Sequence, residues 1–330
     1  MKARLFLALM SLFLMVSLST MGQAKILFDT DFGGDADDLG ALAMLHHFVD
    51  HKECELLGIM IWSTEEHVVP AIDAINRYYK HPEIPIGVRK GELHNDPNNY
   101  SKPIADRFPS ELTSESAPDA TELYRKILSE NADHSLVIVT VGPLKNIQNL
   151  INSPGDKYSS LTGLELIHKK VKEFVIMGGN FPEGNFEWNF SGFMPGVTQY
   201  ILENISVPVT FSGFELGVQI KSGSVFNQID HNTPLYIGFM HFSEFAPWMK
   251  ARFKGEILDN STFDQTAVLY AVRQGVGDYW ERIGGGFCQA DEKGGNTWIE
   301  KVPSHHSYLK LTMEPEKMAN LIESIMLNQF

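Results

Sequence analysis

Five aspartates fall between positions 29 and 38: Asp29, Asp31, Asp35, Asp37 and Asp38, wrapped around Gly33 and Gly34. Carboxylates this close repel one another and raise their own pKa values, so the stretch calls for a positive counter-charge. A hard divalent cation is the economical one, because Ca²⁺ and Mg²⁺ take oxygen ligands. A helix cap with solvated acids would explain a single Asp-x-Asp, but not this density. A second polar set stands in GNFEWNF at 184–190. In an extended segment Asn185, Glu187 and Asn189 point one way, and Phe186, Trp188 and Phe190 the other. Asn and Glu are poor strand formers, so three of them on one face suggest a ligand rich in hydroxyls rather than a half-buried edge strand.

The elements that must position these residues follow from hydrophobic period. Ile26, Leu27 and Phe28 form a short apolar run that empties into the acidic loop, and apolar residues from Leu39 to Val49 recur at helical spacing. Asp37 or Asp38 sits where an N-cap and a first-turn acid belong. Strand, acidic loop and helix open an α/β unit, with the acids at the carboxyl end of the strand, where such sheets bind ligands. Strands are expected over 55–62, 84–88, 135–140, 174–177, 207–211 and 306–312. Helices are expected over 68–79, 121–131, from Lys145, over 233–253, 266–272 and 315–327. Residues 94–118 read as a long surface excursion. The βαβ rhythm predicts a mainly parallel central sheet flanked by helices, in one domain from Lys25 to Phe330.

Two common acidic motifs fail on inspection. An EF-hand aligned on Asp29, Asp31, Asp35 and Gly34 needs a bidentate Glu where this chain has Gly40. The haloacid-dehalogenase phosphotransferase pattern wants Thr or Val two residues after the second Asp, where Gly33 stands.

The chain resembles the inosine-uridine preferring nucleoside hydrolases. The resemblance rests on Asp29-Thr30-Asp31 with Asp37-Asp38, on VGPLKN at 141–146, on MGGN with GNFEWN at 177–189, and on FDQTAVLY at 263–270, all in order. It implies a Rossmann-like α/β nucleoside hydrolase fold and an enzyme that hydrolyses the N-ribosidic bond of ribonucleosides to free base and ribose. It also implies one Ca²⁺ held by the carboxylates of Asp31, Asp38 and Asp264 and the backbone carbonyl of Val141. Asp31 would take a proton from the metal-bound water, and Asp37, Asn185, Glu187 and Asn189 would hold the ribose hydroxyls. Two departures stand out. Phe263 occupies the place where some members carry a His that helps the base leave, and its ring can stack on a nucleobase. Ser63 and Thr64 stand near the family's usual Gly-Asn. His94, His241, His305 and His306 are the open candidates for a leaving-group acid. Homo-oligomers are common in the family.

Composition narrows the remaining choices. The 330 residues are 43% hydrophobic and 21% charged, ordinary for a globular protein. Residues 1–24 have the form of a secretory signal: Lys2 and Arg4, an apolar core over 5–18, and the small-x-small end Gly22-Gln23-Ala24. Removing it takes the formal charge from −14 to −16 and implies export to a periplasm or beyond the cell. Such acidity excludes nucleic acid and anionic membrane surfaces as partners. Cys54 and Cys288 are read as unpaired, Cys54 within an apolar run. Two other functions share these features: a binding protein that keeps the ribose cage without turnover, and a sugar hydrolase with a diverged aglycone pocket.

Overall fold

The computed structural model describes residues 23–328, so positions 1–22 of the expected signal lie outside the described residues. Among the described residues twelve strands form, namely β1 (Ala24–Thr30), β2 (Cys54–Ile61), β3 (Ile86–Val88), β4 (Leu136–Thr140), β5 (Val171–Met177), β6 (Glu183–Gly184), β7 (Val209–Ser212), β8 (Lys221–Ser222), β9 (Asn260–Ser261), β10 (Trp280–Ala290), β11 (Asn296–Glu300) and β12 (His306–Leu311). Ten make one sheet in the order β3-β2-β1-β4-β5-β7-β12-β10-β11-β6. From β3 to β12 all neighbours are parallel, and β10, β11 and β6 extend that sheet antiparallel. The apolar run of β1 divides between two cores: Ile26 and Phe28 join the cluster on one face, Leu27 the cluster on the other. A strand buried on both faces reads as continuously hydrophobic, which is why β1 and the wholly buried β4 carry no alternation.

Chain order places the ligand crevice. From β1 the sheet grows outward through β2 and β3, then the chain returns to lay β4 on the other side of β1. The gap beyond the carboxyl ends of β1 and β4 is therefore a topological switch point, where no crossover covers the strand ends. The two loops leaving those ends touch. Val141 N–H donates to the Asp29 carbonyl at 2.8 Å. A Cβ on Gly142 would stand 2.7 Å from the Asp31 nitrogen, so the approach needs glycine.

Several expectations need correction. The helix expected over 233–253 is Pro234–Phe245, because Pro247 forces Ala246 into extended backbone at ψ 132°. The excursion at 94–118 contains the helix Ser101–Arg107, anchored by buried Tyr100 and Ile104. The antiparallel pair β10 and β11 was not anticipated. Three successive glycines, Gly284 to Gly286, leave β10 without a readable alternation. Cys54 and Cys288 are both buried and free.

Candidate active site

The floor of the crevice is built by two helix starts. Asp37 and Asp38 lie in the first turn of the helix Asp37–Asp50, and Asp264 in the first turn of Phe263–Arg273. Neither Asp37 nor Asp38 is the N-cap, which is Ala36 without a side-chain bond. Their side chains turn instead into the crevice. One carboxylate oxygen from each of Asp37, Asp38 and Asp264 lies within 4.8 Å of the other two, and all three residues are at most 4% exposed. Both helix dipoles present their positive ends there, which favours negative charge. Burial opposes it more strongly. Desolvation first, and then the charges of neighbouring aspartates, push Asp37, Asp38 and Asp264 well above the usual carboxylate range. Asp31 and Asp35 are pushed up to about 6, chiefly by burial. Among the described residues no lysine or arginine forms an ion pair with the triad, and the arginines that do pair with acids pair elsewhere, Arg77 with Asp73, Arg125 with Asp156 and Arg273 with Glu53. Three buried acids with no basic partner fit a hard cation, since oxygen donors are the only ligand type offered.

The remaining first-loop residues fasten this floor. Thr30 donates its hydroxyl to Asp38 Oδ1, and Asn260 Nδ2 donates to Asp35 Oδ1. Asp29 points away from the crevice, where Tyr124 and Asn146 donate to it at 2.8 and 3.2 Å; burial pushes it up to about 7. Asn146 is thus the reason VGPLKN ends as it does: it ties the loop after β4 back to β1.

The wall comes from residues after β5, and here the sequence-based geometry fails. GNFEWNF is not an extended segment with one polar face. After β6 the chain turns and forms a short helix, Trp188–Ser191, with Glu187 as its N-cap. The poor strand propensity of Asn and Glu is resolved by capping rather than by a ligand row. Glu187 accepts from the backbone N–H groups of Gly179, Asn189 and Phe190, each at 3.0 Å, and burial lifts it to about 7. Asn189 is buried and donates from Nδ2 to the carbonyls of Val141 at 2.9 Å and Met177 at 3.1 Å. Its Oδ1 is a buried acceptor without a partner. Asn185 is exposed and lines an open polar cleft of about 620 Å³ with Glu183, Gln289 and Asp291. Trp188, assigned to the apolar face, instead donates its indole N–H to Asp31 Oδ2 at 3.0 Å. Only the indole nitrogen in the sequence could have hinted at that.

Phe263, the residue before Asp264, stacks on Phe214 with ring centroids 5.1 Å apart and 23° between planes. Two of the candidate histidines are misplaced for acid catalysis. His305 immediately precedes and His306 opens β12, which runs parallel to β7, so they lie at the amino end of the sheet. His306 is also packed on Phe287 and lowered by burial to about 4. His94 and His241 are on the crevice side. His94 lies 3.2 Å from Thr64 Oγ1 in the loop beyond β2. His241 lies against the backbone of Pro97 and Asn98, next to Asn99, whose side chain packs over Gly33.

The sequence model of the inosine-uridine preferring nucleoside hydrolases matches residues 26–314, which takes in the acidic floor, the wall and Asp264 together. The chain belongs to that family. It is therefore an enzyme that hydrolyses N-glycosyl bonds, in a family that acts on ribonucleosides and is in general metal-dependent. Solved structures share the fold at low identity. The purine-preferring ribonucleoside hydrolase from Gardnerella vaginalis superposes with a TM-score of 0.67 and 16% identity, over 92% of this chain and 97% of that one. The inosine-uridine preferring nucleoside hydrolase from Bacillus anthracis gives 0.64 and 13%, over 92% and 99%. The type III effector protein XopQ, solved with adenosine diphosphate ribose, gives 0.61 and 12%, over 93% of both chains. No curated protein matches the hydrolase at significant similarity.

Proposed function

We propose that this hydrolase is Ca²⁺-dependent and cleaves ribonucleosides to free base and ribose, with Asp31 as the base that takes a proton from the attacking water. The observation that carries the reading is the buried triad Asp37, Asp38 and Asp264 beside Asp31 at the switch point. Asp31, Asp38, Asp264 and the Val141 carbonyl would hold the ion, and Asp37 stands close enough to join them. A bound divalent cation lowers the pKa of water and fixes a ribose diol, so a carboxylate can serve as base near neutral pH. Breaking the N-ribosidic bond builds positive charge on the sugar, and the surrounding carboxylates lower that barrier electrostatically. The orphaned Oδ1 of Asn189 supplies a buried acceptor for a ribose hydroxyl, which would otherwise stay unpaired at a cost. Glu187 acts by holding this wall in shape. A flexible, high-coordination oxygen shell favours Ca²⁺ over Mg²⁺.

The basic start and apolar run of residues 1–24 support export of the enzyme. The deciding assay measures free base and free ribose from a nucleoside panel, with added calcium and with chelator. Turnover that chelation does not reduce would reject the metal-dependent reading. Nucleoside binding with no release of either product would reject catalysis in favour of a ribose-binding protein.

A further inference from the structure

Trp188 is half-exposed, at 40%, yet its indole Nε1 donates to Asp31 Oδ2 at 3.0 Å across the mouth of the crevice. We propose that Trp188 is a positioning residue that fixes the rotation of the Asp31 carboxylate, an inference that rests on Asp31 being the base. The bond occupies Oδ2, so the carboxylate cannot rotate freely and Oδ1 is left beside Gly142 on the switch-point side. An unheld carboxylate spends part of its time misaligned, and alignment of a base is worth orders of magnitude in rate.

The indole is itself held from both sides. On the chain before it, Glu187 caps the short helix that carries Trp188, and Asn189 on the chain after it is fastened to the Val141 and Met177 carbonyls. Adjacent residues thus hold the base and the main-chain oxygen proposed as a metal ligand. Above the ring, Phe193 stands edge-on at 5.1 Å and 83°. Phe193 is 78% exposed and sits at φ 53°, a left-handed conformation that costs an aromatic residue energy and that burial does not repay here. Its contact with Trp188 is the visible return. A phenyl ring at position 188 could keep an aromatic contact with Phe193 but has no donor for Asp31. Only an indole adds the N–H, which explains the residue type that the alternating pattern could not.

The test compares wild type, Trp188→Phe, Asp31→Asn and the double variant, each saturated with calcium, on an activated nitrophenyl riboside. Trp188→Phe is expected to lower kcat about tenfold while KM and calcium affinity, measured by calorimetry, stay within about threefold. In the Asp31→Asn background the same change should have no further effect on kcat, because the base whose orientation the indole sets is already gone, even though the amide oxygen can still accept the bond. Calcium titration of tryptophan emission gives a readout apart from turnover: the response of wild type should be lost in Trp188→Phe. Phe193→Leu keeps the bond and removes its support, so it should give a smaller kcat loss of the same kind. Wild-type kcat in Trp188→Phe, or an equal loss from Trp188→Phe with and without Asp31, overturns the proposal. Wild-type turnover in Asp31→Asn overturns the assignment of the base instead.

Discussion

At the scale of single residues, the proposed site asks Asp38 and Asp264 to hold an ion and Asp31 both to hold it and to take a proton. Asp38 and Asp264 face one another in the floor with no basic partner among the described residues, an arrangement whose charge a bound cation would neutralise. Replacing either by Ala removes an anionic ligand from a cage with few carboxylates, and tight calcium binding should be lost in calorimetric titration. Wild-type affinity in both variants would mean the ion sits elsewhere. The leaving group poses a different problem. Phe263 stacks on Phe214 and has no proton to give, and His305 and His306 lie at the far end of the sheet. A leaving group already stable as an anion should therefore gain most. Nitrophenyl riboside is expected to show a kcat larger than inosine or uridine by roughly 10² or more, the size of a missing acid-catalysis contribution. Phe263→Ala should raise KM for nucleosides more than for the small activated substrate, because the ring's remaining work is stacking. Comparable kcat values on all three substrates would show that an acid exists, and His94 and His241 are the histidines placed to supply it.

At the scale of elements, what the sequence revealed depended on whether local pattern and tertiary role agree. The strand, acidic loop and helix at 24–50 were legible because each piece has a local signature: an unbroken apolar run, clustered acids, a 3.6 period. The segment 184–190 misled because its alternation of polar and apolar residues mimics a strand, while the decisive interactions are backbone N–H groups of Gly179 and Phe190 closing on Glu187. Such a cap joins two loops and leaves no periodic trace. The bond from Trp188 to Asp31 spans 157 positions and was invisible for the same reason. Glu187→Gln tests the element rather than the chemistry. The amide keeps one acceptor for a turn that now uses two oxygens, so stability should fall by about 1 kcal/mol, the usual worth of an N-cap. KM should rise as Asn189 loses its setting, while calcium affinity changes little. Unchanged stability with a collapsed kcat would instead place Glu187 in direct contact with the reaction.

At the scale of the whole molecule, a cage of buried acids is a cost to folding that a bound cation would remove. Asp31 and Asp35 are raised to about 6 and Asp29 and Glu187 to about 7, so each keeps its proton in the folded chain after losing it in the unfolded one. A group whose folded pKa is raised contributes fully below the unfolded value, near 4, and the contribution is lost as pH rises through the folded value. Without calcium, stability should therefore decline from about pH 4 to pH 7 on this account. His46 works in the opposite sense. It is buried against Tyr79 and lowered to about 3, so its contribution is full above about 6.5 and lost as pH falls. The two trends overlap in any single melting curve, but they separate in a difference. His46 stacks on Tyr79 and His81 rather than on the acidic floor, so its effect is the same with calcium and with chelator. Calcium needs deprotonated carboxylates, and its binding strengthens as pH rises. The gap in Tm between the two conditions should widen from pH 5 to pH 8. At a calcium concentration 100 times Kd it should reach about 5 °C, from about 2.7 kcal/mol of linkage spread over a chain of this size. Thermal melts in matched buffers would show it, and a gap that is flat or narrows with rising pH would mean that no cation resolves the charge of Asp37, Asp38 and Asp264.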